Sequence, residues 1–357
     1  MTRQKKKERQ KRLKSLILLL FLTIVLLSTS TYAWFTANRS VSIDPINVNI
    51  AASSGLQIST NASEWKTLIT TTDITGVTGY STNLNQLPSI LAPVSTGGTT
   101  DSSTGHLKFY KGVVAGDESN GGAMSLTATK SPDEAAGTTG DFVAFDIFLK
   151  VDSQSDIYLE NGSGVKSTTG YTDKGLQYAA RYAFVIEGTV AGTDTAANAQ
   201  AKKEASAVYV VEPNYDAHTS TGVSNASTYY NLTTTAGTSG VAAVNYVGVI
   251  DTIPTPIVLQ QTNPGGTPDS SKFASISGLM RTNVAYSNAD SSYEAYTGTS
   301  KAAHLLKVFT LPAGITKIRV YMWVEGQDVD CENSASGAYL TYKLGFTLDD
   351  DEETTEP

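Results

Sequence analysis

The densest set of groups able to do chemistry is Asp328-Val329-Asp330-Cys331-Glu332-Asn333. Carboxylates at i, i+2 and i+4, here Asp328, Asp330 and Glu332, can converge on Ca²⁺ when a loop curls, and extracellular calcium is plentiful enough for weak sites. Asn333, however, stands where an EF-hand loop needs its glycine, and no Glu follows at the twelfth position. The same residues also read as a solvated hairpin loop with its charges pointing outward. Calcium is the one cofactor the sequence suggests. Cys331 is the sole cysteine, so no intrachain disulfide forms. As a catalytic thiol it would need a base, and His106, His218 and His304 are scattered. A part-buried small side chain beside a loop is the simpler reading.

Other chemistry is missing at the level of motif. There is no His-Glu-x-x-His for a zinc protease, no Gly-x-Ser-x-Gly elbow and no phosphate-binding glycine loop. Leu311-Pro312-Ala313-Gly314 lacks the Thr of a sortase signal and lies inside the domain. Tyr229-Tyr230 sits in a polar stretch where rings could stack on sugars, although tyrosine is also an ordinary strand residue. No catalytic constellation emerges, and the expectation is a protein that is not an enzyme.

The elements that would carry these residues are strands. Ile46-Asn47-Val48-Asn49-Ile50 alternates branched residues with amides, and Leu56-Gln57-Ile58 repeats the pattern after Ser53-Ser54-Gly55. In the segment from Phe142 to Val151, Val143, Phe145, Ile147, Leu149 and Val151 form one apolar face while Phe142, Ala144 and Phe148 line the other. This predicts a central strand covered on both sides. Further strands are expected at 157–159, 180–186, 207–211, 245–250, 257–259 and 304–311. From Thr316 to Glu325, Ile318, Val320, Met322 and Val324 alternate with Lys317, Arg319, Tyr321 and Trp323, and 340–348 alternates without a fault. Residues 195–204 favour one short surface helix. Residues 61–100 are ambiguous, 213–240 read as a long polar loop, and Asn263-Pro264-Gly265-Gly266 is turn chemistry. Ten or more strands, long polar loops and scarcely any helix indicate an all-β sandwich.

Charge is distributed unevenly. Residues 1–14 hold eight of the 26 Lys and Arg against a single acid, leaving 18 basic and 33 acidic residues, a formal −15, in the remainder. An acidic body repels polyphosphates, so nucleic acid is not an expected partner. The basic stretch keeps the N-terminus cytoplasmic while the apolar run from Ser15 enters the membrane. The strongly apolar part, Leu16 to Leu27, is shorter than the roughly 20 residues of a spanning helix. A signal-peptide core runs about 7–15 residues with small residues at the cut. Thr31 at −3 and Ala33 at −1 make such a site, with Trp34 as the new first residue. The alternative is a retained anchor over residues 15–35. Either way the body lies outside the cytoplasm, and export without disulfides suits a Gram-positive or anaerobic bacterium.

The leader end Leu26-Leu27-Ser28-Thr29-Ser30-Thr31-Tyr32-Ala33-Trp34-Phe35-Thr36, followed by the strand through Ile50 and by Ser53-Ser54-Gly55-Leu56-Gln57-Ile58, resembles the TasA/camelysin group. These are Gram-positive biofilm matrix proteins exported through a SipW-type signal peptidase. The resemblance covers roughly residues 14–60. It implies a cut at Ala33, a jelly-roll sandwich, and polymerisation by lending the N-terminal strand to the next subunit. The protease label carried by the camelysin branch has no His-Glu-x-x-His here to stand on.

These readings combine into an expected organisation. Residues 1–33 form a signal peptide with a basic region at 1–14 and a hydrophobic core at 15–27. Residues 34–348 form a jelly-roll-like β-sandwich with loop insertions, and 349–357 an acidic disordered tail. The expected function is a secreted or cell-surface matrix subunit whose assembly strand carries Val41, Ile43, Ile46, Val48 and Ile50. Its partners would be copies of itself or related matrix proteins, and signal peptidase during export. The alternative is a membrane-anchored adhesin or carbohydrate-binding module that meets cell-wall or host glycans.

Overall fold

The computed structural model describes residues 41–43, 47–50, 56–117, 123–159, 163–213, 219–222, 247–258, 273–275, 280–281, 286–287, 292–293, 307–328, 330–331 and 335–348. The strands in chain order begin with β1 (Val41–Ile43), β2 (Asn47–Ile50), β3 (Gln57–Ser59), β4 (Leu68–Thr70), β5 (Ile90–Leu91), β6 (Tyr110–Asp117) and β7 (Ala123–Lys130). Next come β8 (Val143–Val151), β9 (Ser155–Leu159), β10 (Gly164–Ser167), β11 (Ala180–Val190), β12 (Ala207–Glu212), β13 (Val247–Val249) and β14 (Ile253–Val258). The last are β15 (Phe273–Ser275), β16 (Met280–Arg281), β17 (Tyr286–Ser287), β18 (Ser292–Tyr293), β19 (Lys307–Leu311), β20 (Gly314–Val324) and β21 (Tyr339–Leu348). The protein is all-β, as the alternation predicts.

Two sheets dominate. The first runs β19–β9–β21–β1–β5, with β10 also on β21 and β2 between β21 and β4. The second runs β16–β12–β11–β20–β8–β3. Its centre is antiparallel throughout, with Val320 opposite both Phe145 and Phe184. β9 and β10 flank the same neighbour in one direction: Leu159 pairs with Phe346, and Gly164 with Lys343. The two registers on β21 are thus out of step by two residues. Ser163 fills the break, its hydroxyl donating to the Gly345 carbonyl (3.3 Å) and accepting from the Gly345 N–H (3.0 Å).

The sheets share one apolar cluster. Phe145, Ile147, Tyr182, Phe184, Ile318 and Val320 from the second sheet join Ile157, Leu340, Tyr342, Leu344 and Phe346 from the first. Phe184 meets Phe346 edge-on at 5.4 Å between ring centroids. Each such buried side chain contributes about 1.5–3 kcal/mol by leaving water, which makes this cluster the main source of cohesion. The second sheet is covered on its other face as well. Phe109 stacks on Phe142 (4.1 Å) and meets Trp323 edge-on (5.3 Å), with Val94 and Leu107 in the same cluster.

Several sequence expectations meet their outcome here. β8 is covered on both faces, as predicted. The helix expected over 195–204 is Ala196–Gln200, its N-terminus capped by Thr195, which accepts from the Asn198 N–H. It is more than a surface element, because Ala199 is buried beside Phe148 and Ile315. The ambiguous stretch 61–100 holds two short strands and the turn of helix Thr71–Thr75, closed by a Thr70–Asp73 capping box. In β20, where Lys317, Arg319, Tyr321 and Trp323 alternate with apolar residues, every residue of the strand is buried. The leader 1–33, the acidic tail 349–357 and the turn at Pro264 lie outside the described residues.

Candidate functional site

The N-terminal strands sit inside the first sheet, not at its edge. β1 runs parallel to β21, with Ser42 opposite Tyr339 and Ile43 opposite Leu340, and antiparallel to β5, with Val41 opposite Leu91. β2 runs parallel to β21, with Val48 opposite Leu344 and Ile50 opposite Phe346. On its other side it is antiparallel to β4, with Val48 opposite Ile69. From Ile43 to Asn47 the chain advances four residues while its partner advances three, Leu340 to Lys343. The registers of β1 and β2 on β21 are thus offset by one residue. Ile46 lies outside the described residues.

The register carries a pattern. Val41, Ile43, Val48 and Ile50 each stand opposite a residue that is fully or almost fully buried: Leu91, Leu340, Leu344 with Ile69, and Phe346. Residues directly opposite one another lie on the same face of a sheet. Without β1 and β2, one edge of β21 and the facing edges of β4 and β5 would lose their backbone partners. A slot bordered in this way fits one extended strand, main-chain groups holding it and alternate positions fixing its register.

The acidic loop is not the solvated hairpin of the sequence reading. Asp328 and Asp330 are buried, so their charges do not point outward. Asp328 Oδ2 pairs with Arg181 (2.5 Å), which also pairs with Glu212 (2.6 Å). Asp330 Oδ1 accepts from both the N–H and the hydroxyl of Thr219, each at 2.9 Å. The two carboxylates thus serve as anchors for separate segments, and Glu332 lies outside the described residues. Among the described residues no group of three His, Cys, Asp or Glu gathers for a metal ion. Cys331 is fully buried beside them. His106 is engaged with Glu134 (3.2 Å), and the other two histidines lie outside the described residues.

A second polar group, unforeseen from the sequence, lies on the outer face of the second sheet. Asp146 of β8, Lys317 and Arg319 of β20, and Glu187 of β11 converge there, closed over by Tyr80, His106 and Glu134. Arg319 Nη1 donates to Asp146 Oδ1 (2.7 Å), and its other nitrogens reach Glu134 and the Leu84 carbonyl. Tyr80 donates its hydroxyl to Asp146 Oδ2 (2.7 Å). Lys317 Nζ lies 2.6 Å from Glu187 Oε2 and 3.4 Å from Asp146 Oδ2. Burial opposes the charge on Asp146, but the Arg319 guanidinium and Lys317 ammonium outweigh it and hold its carboxyl below the ordinary range. Burial, reinforced by the Asp146 charge, pushes Glu187 up to about 7. Burial lowers His106 against the pull of Glu134. One signal was available in the sequence: Asp146, flanked on both sides by apolar residues of β8, requires a buried cation.

No family model, no curated protein and no solved structure matches this chain. Among the described residues no helix is long and apolar enough to cross a membrane. Any statement of function therefore rests on the chain's own residues.

Proposed function

We propose that this chain is an exported structural subunit of a cell-surface or biofilm matrix. In this reading residues 34–348 form a jelly-roll-like sandwich. After cleavage behind Ala33, the strand led by Trp34 and Phe35 passes to a neighbouring subunit. The single observation that supports it most is the placement of β1 and β2, an N-terminal segment interior to a sheet and parallel to the last strand. The same contacts can form within one chain or between two, at equal cost in hydrogen bonds. Head-to-tail repetition does not close on itself, so it yields filaments. The leader's resemblance to the TasA/camelysin group supports the export route.

The test is removal of residues 34–44 from the purified mature protein. This deletes β1 and its approach while leaving β2 to cover the lower half of the slot. Filaments seen by electron microscopy for the mature protein should be absent from the shortened one, with the β-type circular dichroism preserved. Filaments that persist in the shortened protein rule out strand donation.

A further inference from the structure

The buried polar group on the second sheet contains more than an ion-pair network needs. Two cations, Lys317 and Arg319, face three carboxylates: Asp146, Glu134 and Glu187. Arg319 joins Glu134 to Asp146, so Asp146 and Glu134 already balance the two positive charges. Glu187 is supernumerary, and it is present because of a specific backbone feature. On β11 the register passes from Ile186 opposite Ile318 to Gly188 opposite Lys317, leaving Glu187 as the extra residue of a bulge. A bulge re-aims the side chain it carries, here toward Lys317. Glu187 is fully buried, and neither of its carboxylate oxygens has an aligned hydrogen-bond partner, although Lys317 Nζ is 2.6 Å away. A buried acid with an ion pair on one oxygen and no partner on the other calls for a reason beyond charge balance.

The geometry points to a covalent bond: Lys317 and Asp146 form an intramolecular amide that ties β20 to β8, with Glu187 as the proton carrier. Lys317 stands one position diagonal to Asp146 across the strand pair, opposite Phe148, and its long side chain closes the gap to 3.4 Å. Nζ is steadied by the carbonyls of Lys202 (3.0 Å) and Gln200 (3.3 Å). Asp146 is held as an acyl donor would be. Arg319 donates to Oδ1, where negative charge builds when a nucleophile adds to Cγ, and Tyr80 donates to Oδ2, the oxygen that departs.

The step balances without any co-reactant. Lys317 starts as an ammonium and Asp146 as a carboxylate. Glu187 takes one proton from Nζ, which frees the lone pair to add to Cγ. The Nζ–Cγ bond forms and the Cγ–Oδ2 bond breaks. Two of the three ammonium protons leave with Oδ2 as water, one of them passed through Glu187, and the third stays on the amide nitrogen. A carrier whose pKa sits near neutrality can both accept and return that proton. Condensation is uphill for free groups in water, but here it removes two buried charges from a site that penalises them. The reactants are also fixed at contact, which is worth many orders of magnitude in effective concentration. What remains is the balanced Arg319–Glu134 pair and Glu187, which ends the step in the charge state in which it entered.

Tandem mass spectrometry of the full-chain protein, denatured and digested with trypsin, tests this whether or not subunits polymerise. The expected product is 131–150 joined to 308–319, lighter than the two peptides together by one water and uncut after Lys317. Separate peptides 131–150 and 308–317 overturn the proposal. Lys317→Arg keeps a cation in place and should give no linked product. In newly made protein, Glu187→Gln should slow linkage about a hundredfold, the usual scale for removing an acid–base group. Linkage at the wild-type rate in that variant overturns the role given to Glu187.

Discussion

Glu325 shows what burial does to a single carboxyl in this protein. It is fully buried, and its oxygens accept from Trp323 Nε1 and the Gln327 N–H, each at 3.1 Å. Burial nonetheless dominates and pushes it up from 4.5 to about 7. The folded state therefore holds a proton that the unfolded chain releases between those values. This stabilisation is complete below about pH 4.5, fades as pH rises and is gone above about 7. Glu187 acts in the same direction, whereas the depressed His106 and Asp146 act in the opposite one. Subtracting a variant isolates the effect. The stability of wild type minus that of Glu325→Gln should fall by roughly 3 kcal/mol between pH 4.5 and 7, then level off. Urea titrations giving a constant difference across that window would contradict this account of the site.

At the scale of elements, the register break between β9 and β10 gives a clean prediction. Ser163→Ala removes the hydroxyl that both serves and is served by Gly345, leaving a buried N–H unpaired. The loss should be about 1–3 kcal/mol by urea unfolding, and Ser163→Thr, which keeps the hydroxyl, should recover part of it. An unchanged midpoint in the alanine variant would mean that backbone shifts or water close the gap.

Legibility from sequence also differs by element. β8, β20 and β21 were readable because their apolar spacing is set by two-residue alternation against a core. β6 and β7 were missed: Gly112, Ala115, Gly116, Ala123 and Ala128 dilute the pattern, and their pairing with each other is a tertiary fact. The burial of Lys317 and Arg319 is not encoded in their alternation with Ile318 and Val320, which leaves open whether their face is wet or covered. A second layer containing Val94, Leu107 and Phe109 covers that face. The seat of β1 and β2 beside the last strand of the chain was equally hidden, since no local signal encodes a partner some 300 residues away.

For the molecule as a whole, a body with a formal charge of −15 outside the first 14 residues resists nonspecific association with its own kind. Self-assembly of such a body has to rest on a short-range, directional contact, and a strand entering a sheet provides one. The most direct measurement separates a strand kept at home from a strand given away. Asn47 and Lys343 are register partners of β2 and β21, and Lys343 is exposed. Asn47→Cys and Lys343→Cys are placed on separate chains, which are mixed, assembled and mildly oxidised. Strand donation predicts a disulfide joining one chain of each kind, visible as a dimer under non-reducing denaturing electrophoresis. If the mixture gives no such dimer while a chain carrying both substitutions closes an internal disulfide, the strand stays in its own sheet and the proposed mode of assembly is wrong.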